Sequence, residues 1–108
     1  MAVENAREIF ATYFPEKLEK NPEITEKVNT TYKFVVEGDN GGTWLVDLTQ
    51  PGGQITEGDG DAKCTVTLKE ETLVDMVNGK VNPQMAFMTG KLKVSDVGAA
   101  LKLTSLLG

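Results

Sequence analysis

The run Val97-Gly-Ala-Ala-Leu-Lys-Leu-Thr-Ser-Leu-Leu107 puts apolar side chains on nearly every side of a helix. Val97, Ala99, Ala100, Leu101, Leu103, Leu106 and Leu107 leave only Lys102, Thr104 and Ser105 to break its surface. A helix that is apolar all round must be covered on more than one side. In a chain of 108 residues, part of that cover can be a ligand.

The rest of the chain switches between two apolar periods. Val3, Ala6, Ile9, Phe10, Tyr13 and Phe14 fall at helical spacing, with Glu4, Arg7 and Glu8 opposite. Pro15 is expected either to kink this helix or to open a next turn, Pro15-Glu-Lys-Leu18. Asn21-Pro22 marks a break, and Glu23 to Val28 read as one more helical turn. From Thr30 the period becomes two. Tyr32, Phe34 and Val36 share one strand face, the Gly38–Gly42 stretch turns the chain, and Trp44, Val46 and Leu48 continue the pattern as a hairpin. A short strand near Gln54–Glu57 follows Pro51-Gly-Gly53, and Ala62, Cys64, Val66 and Leu68 share a face in the next strand. Helical spacing returns over Glu70–Asn78, closed by Gly79. Asn82 and Pro83 read as the N-cap and first residue of a short helix that Gly90 ends. Lys91–Val94 is a last strand with Leu92 and Val94 inward. The order predicts one α+β domain over residues 1–108, with helices on one sheet face. Parity predicts that the hairpin and the strand at Ala62–Leu68 share one antiparallel sheet, with Phe34, Trp44, Val46, Cys64 and Val66 on its covered face.

Chemistry is constrained by what the chain lacks. It has no histidine, which removes the usual proton shuttle, the commonest metal ligand and the standard partner of a nucleophilic Ser or Cys. Cys64 is the one cysteine, so no internal disulfide is expected; it is read as a buried, inert thiol. No catalytic residue, metal or cofactor is expected. A phosphate loop at Gly90-Lys91 is excluded by Met85 and Leu92, and a calcium loop at Glu57–Asp61 by Ala62 and Leu68. No apolar run is long enough to span a bilayer. Glu4, Arg7 and Glu8 interrupt any signal sequence, and the closing residues are not a Ser-Lys-Leu address, so the cytosol is the expected compartment. A net charge of −5 argues against binding a phosphate backbone. That charge is uneven. Residues 1–79 set Arg7 and six lysines against fifteen acids, a net of −8, whereas residues 80–108 carry Lys80, Lys91, Lys93 and Lys102 against Asp96 alone, a net of +3. The lysines serve either as protection of a sheet edge or as a rim, through Lys91, Lys93 and Lys102, for transient contact with anionic membranes.

The segments Thr43-Trp-Leu-Val-Asp-Leu48, Ala62-Lys-Cys-Thr-Val-Thr-Leu68, Asn82-Pro-Gln-Met-Ala-Phe87, Gly90-Lys-Leu-Lys-Val94 and Ala100-Leu-Lys-Leu103 carry a resemblance. In order and spacing they resemble the sterol carrier protein 2 family. The family's Gly-Asn/Asp-Met-like step between last strand and last helix is Ser95-Asp96-Val97-Gly98 here, one residue shorter. The resemblance implies a five-stranded, mainly antiparallel sheet under helices, with an apolar tunnel between them. It implies a stand-alone carrier of fatty acids, fatty acyl-CoA, sterols or other lipids, without catalytic residues. On that reading the tunnel wall is Phe34, Trp44 and Val46 from the sheet, with Met76, Met85, Phe87, Met88, Leu101 and Leu103 from the helices. Methionines suit a wall that adapts to different ligands. Gln84, which matches the family's Asn-Pro-Gln, is the polar candidate, or else a solvent-facing residue of a first helical turn. Each apolar candidate has ordinary core as its plain alternative. The competing function is an accessory or interaction domain of the same fold with a filled, non-binding core.

Overall fold

Pro15 is absorbed by a widened helical turn. The computed structural model describes residues 4–107, so Val3 of the expected first helix lies outside them. Helix α1 (Ala6–Glu8), a π-helical stretch (Ile9–Tyr13) and α2 (Phe14–Lys20) run on without a gap. Proline lacks an N–H and its ring crowds the carbonyl four residues back. The π stretch shifts the bonding by one residue, the Phe14 N–H donating to the Ile9 carbonyl, and Pro15 falls in the first turn of α2. The second of the two expected outcomes is the one observed. After α3 (Glu23–Val28), Asn29 takes a left-handed φ of 43° and turns the chain into the sheet.

The strands are β1 (Thr31–Glu37), β2 (Gly42–Asp47), β3 (Gln54–Glu57), β4 (Cys64–Lys69) and β5 (Leu92–Val94), in the order β3-β2-β1-β4-β5. Pairs β1–β2, β2–β3 and β4–β5 are antiparallel, so the sheet is mainly antiparallel as expected. The expectation that β4 joins the hairpin antiparallel is corrected, because β4 lies along β1 in parallel, Tyr32 beside Cys64 and Phe34 beside Val66. A parallel neighbour needs a crossover, usually a helix, and no helical pattern separates β3 from β4. Here the crossover is the loop 58–63. Lys33 holds it through an ion pair to Asp59 at 2.7 Å, and the Lys63 N–H donates to Thr31 Oγ1 at 2.9 Å. At Gly60 a Cβ would stand 2.7 Å from Leu45 Cδ1, so a larger residue there would require the Leu45 side chain to move aside.

Face parity holds through the change of direction. Tyr32, Phe34, Val36, Trp44, Val46, Cys64, Val66 and Leu68 are all buried on the covered face. The N-terminal helical layer meets it with Phe10, stacked on Trp44 at 4.3 Å and edge-on to Phe34 and Phe14 at 5.3 and 5.2 Å. Helices α4 (Glu70–Val77), α5 (Pro83–Met88), α6 (Val97–Lys102) and α7 (Thr104–Leu107) complete the layer. Asn82 caps α5 by accepting the Gln84 N–H at 2.8 Å, and Gly79 and Gly90 follow α4 and α5 at positive φ, as their positions in the sequence predict.

The closing helix differs from expectation. It is two short helices with a step at Leu103, whose N–H donates to the Ala100 carbonyl. Nor is it covered all round. Ala99, Leu103, Leu106 and Leu107 are buried, whereas Val97 and Leu101 stay 50% and 48% exposed. The step turns α7 inward and leaves one face of α6 in water.

Candidate functional site

The reactive groups are few and spent on structure. Among the described residues no cluster of His, Cys, Asp or Glu could hold a metal ion. The Cys64 thiol is fully buried and lies 3.6 Å from the Asp96 carbonyl oxygen. Asp96 Oδ1 accepts the Ala99 N–H at 3.1 Å and caps α6. Ser95 Oγ accepts the Thr65 N–H at 2.8 Å, while the Ser95 N–H donates to the Thr65 carbonyl. The Ser95–Gly98 step is thus pinned to the start of β4.

The candidate wall residues divide into two groups. Phe34, Trp44, Val46, Met76 and Leu103 are buried in the common core. Gln84, Met85, Met88 and Leu101 are at the surface, and Phe87 is half-buried against the core. Gln84, Phe87 and Leu101 do come together. With Pro83, Leu92, Ala100 and Leu107 they line an apolar cleft between α5, β5, α6 and α7, in which Gln84 is the one polar side chain. Met85 and Met88 lie outside its lining.

That cleft is nearly shut, with about 10 Å³ of room, about the least that a single water molecule needs. The expected tunnel is not seen as an open passage among the described residues; large side chains such as Tyr32, Phe34, Leu73 and Met76 fill the space under the helices. Larger hollows exist elsewhere. One of about 430 Å³ is bounded by Pro22, Thr25, Glu26, Asn29 and the Thr49–Gly52 turn; its lining is mostly polar. Another, of about 240 Å³, lies between the π-helical stretch and β3, with Phe10, Ala11, Trp44 and Ile55 on its wall and the Arg7–Glu57 ion pair at 3.3 Å. Trp44 alone of the candidates reaches it.

Sequence reasoning missed Tyr32. Its ring is fully buried under α6, and its hydroxyl donates to the Ala99 carbonyl at 2.6 Å. Burial pushes the phenol up from 10.0 to about 12, helped by the nearby Cys64 and Asp96 and opposed by the Thr30 hydroxyl. The signal was available, since a tyrosine on the covered face of a strand needs a polar partner for its O–H. Tyr32→Phe would leave the Ala99 carbonyl buried without that bond, and should cost about 1–3 kcal/mol in urea unfolding. A pH readout separates this bond from general packing. The folded phenol holds its proton more tightly than the unfolded one, so its contribution is complete below pH 10 and is lost as pH rises towards 12. The wild type should therefore lose stability over this range more steeply than Tyr32→Phe; equal slopes would place the hydroxyl outside the fold's energetics.

The lysines do not form one rim. Lys93 pairs with Thr67 across β4–β5 and by parity faces the open side of the sheet. Lys91 borders a hollow with Lys69, Glu71 and Asp75 near α4. Lys102 stands in the last turn of α6, beside the cleft helices.

Three comparisons bear on this arrangement. Residues 10–108 match the model of the SCP-2 sterol transfer family. Hydroxysteroid dehydrogenase-like protein 2 of Xenopus laevis is 37% identical over 91 residues, 82% of this chain and 22% of that relative. The chain thus spans about a fifth of the length of such relatives. The sterol carrier protein domain 2 of Helicoverpa armigera, solved in solution, is 36% identical with a TM-score of 0.74, covering 91% of this chain and 82% of that one. A sterol carrier protein-2 from Aedes aegypti, solved in complex with palmitate, shares the fold at 23% identity and a TM-score of 0.72, covering 94% of this chain and 92% of that one.

Proposed function

The chain belongs to the SCP-2 sterol transfer family, and from that premise we propose that it binds long acyl chains, as fatty acids or fatty acyl-CoA, and carries them unmodified. The observation that carries this reading is the cleft between α5 and α6. Its wall is hydrocarbon from four elements with Gln84 at its polar edge, a lining that solvates an alkyl chain and offers a head group one amide. The mosquito relative of the same fold is described as a complex with palmitate, which supports the ligand class. A sixteen-carbon chain fully buried gains up to about 12 kcal/mol at ~0.8 per methylene, and association costs of ~4–15 kcal/mol take back much of it. Micromolar binding needs no stronger head-group contact than Gln84 provides. A nearly shut cleft must open first, and the opening free energy lowers the apparent affinity by the fraction of molecules already open. Sterols, being rigid and wide, need a larger opening and should bind more weakly.

A filled, non-binding interior is the second reading, and the closed cleft favours it. Titrating delipidated protein with a fluorescent fatty acid decides between the two. Saturable binding in the micromolar range, with an acyl thioester left intact on long incubation, is the expected result. Absence of saturation would establish the non-binding reading, and turnover of the thioester would overturn the carrier.

A further inference from the structure

The two helices that flank the cleft are held very differently. Helix α6 and the step before it are fastened to the sheet. The Tyr32 hydroxyl donates to the Ala99 carbonyl at 2.6 Å, and the Cys64 thiol lies 3.6 Å from the Asp96 carbonyl oxygen. Ser95 exchanges hydrogen bonds with Thr65 in both directions. Tyr32 and Cys64 are fully buried, so water does not compete for their contacts.

Helix α5 has no such fastening. Among the described residues its hydrogen bonds close on its own segment, from the Asn82 cap to the Lys91 N–H, which donates to the Ala86 carbonyl. Ala86 is its one buried side chain, and a single methyl group contributes little to holding a helix down. Phe87 is half-buried, while Gln84, Met85 and Met88 are exposed.

Both ends of this segment can bend. Gly79 and Gly90 take φ of 78° and 80°, and a Cβ at either would meet nothing within 4 Å. Glycine enters and leaves this left-handed conformation at little cost, and no neighbour obstructs the turn. Outside the two glycines the chain is anchored. Leu73 and Met76 of α4 are buried, and Leu92 pairs with Leu68 across β4–β5. Residues 80–90 are thus a lightly packed body between two hinges, the kind of segment that opens without unfolding the rest.

We infer that α5 is a lid, which swings about Gly79 and Gly90 to open the cleft while α6 remains a fixed wall. The inference rests on the carrier reading for its purpose, and it names the moving part that a nearly shut cleft requires. An acyl chain would lie along Ala100 and Leu101, and Phe87 and Gln84 would close over it. The open fraction of the lid then sets both the association rate and the apparent affinity.

Two variants loosen one wall each. Gly90→Ala puts a Cβ at a left-handed position and so disfavours the closed lid, whereas Tyr32→Phe removes the buried bond that holds α6. Association of a fluorescent fatty acid with delipidated protein is followed by stopped flow. Amide exchange of the ligand-free protein is followed residue by residue by NMR. In the wild type, the Ala86 and Thr89 amides should exchange about tenfold faster than those of Ala100 and Leu103. Gly90→Ala should speed both α5 exchange and association by about fivefold, and Gly79→Ala should act in the same direction. Tyr32→Phe should leave both unchanged, because opening α5 does not break the Tyr32 bond. Faster association in Tyr32→Phe alone would assign the motion to α6 and overturn the inference. Faster α5 exchange with unchanged association in the glycine variants would take the lid off the binding route, which also overturns it. If the wild type binds no fatty acid, the carrier reading fails. Amide exchange then decides the lid alone, and equal exchange in α5 and α6 would sink it.

Discussion

Phe34→Ala is expected to remove about 3–5 kcal/mol of stability and to lower the melting temperature by roughly 15–30 °C. Phe34 sits where the two halves of the layer meet. It is fully buried in β1, paired with Trp44 on one side and Val66 on the other, with the rings of Phe10 and Phe14 at 5.3 and 6.1 Å. Truncation would strip contacts from three strands' worth of packing at once. Collapse around the gap is limited, because β1 is the central strand and is hydrogen-bonded on both edges. Phe34→Leu keeps most of the volume and should cost about 1–2 kcal/mol. Urea denaturation with a two-state fit measures both. A loss below about 1 kcal/mol for the alanine variant would mean that the aromatic cluster is not packed as described.

The second large effect concerns the ligand. Ala100→Trp should weaken fatty-acid binding by on the order of fifty-fold, since denying about three methylenes their burial costs ~2.4 kcal/mol. Ala100 is half-buried in the cleft wall opposite Phe87 and Gln84, so an indole there occupies the path of the chain. Overpacking should take about 1–3 kcal/mol from the fold, which leaves it folded. Ala11→Trp is the matched control, because Ala11 is exposed beside the Phe10–Trp44 hollow on the other flank. If Ala11→Trp abolishes binding and Ala100→Trp does not, the chain enters by that hollow and not between α5 and α6.

How far the sequence reached can be seen strand by strand. Period-two alternation placed Phe34, Trp44, Val46, Cys64 and Val66 on one covered face, and all are buried there. The direction of β4 was illegible, because parity is the same for parallel and antiparallel neighbours, and the crossover 58–63 is a loop with no helical signal. Caps at Asn82 and Asp96 are local side-chain chemistry; Asn82 was read correctly, and Asp96 could have been by the same rule. The site was harder. Composition cannot separate a methionine that fills a core, as Met76 does, from one that projects into water, as Met85 and Met88 do. That difference depends on which elements reach far enough to cover a helix, a property of the tertiary arrangement. The two-part ending of the last helix had the same origin, since nothing in Leu103 itself marks a step.

The crossover loop bears on the order in which the protein can assemble. Strands β1, β2 and β3 are joined by short turns and can pair from local sequence alone, but on their own they expose Tyr32, Phe34, Trp44 and Val46 on one side of a three-stranded ribbon. Phe10 and Phe14 of the N-terminal helices can cover Trp44 and Phe34, but Tyr32 stays uncovered until β4 returns past two strands to lie along β1, Tyr32 meeting Cys64, and α6 follows over it. Long-range parallel pairing of this kind is slow relative to hairpin closure, so a nascent chain ending before Cys64 has a sticky ribbon with a free β1 edge. Synthesis from N- to C-terminus thus passes through its most aggregation-prone state with little more than half the chain made, and the last strand and helices act in time as well as in space, as the cover that ends that exposure.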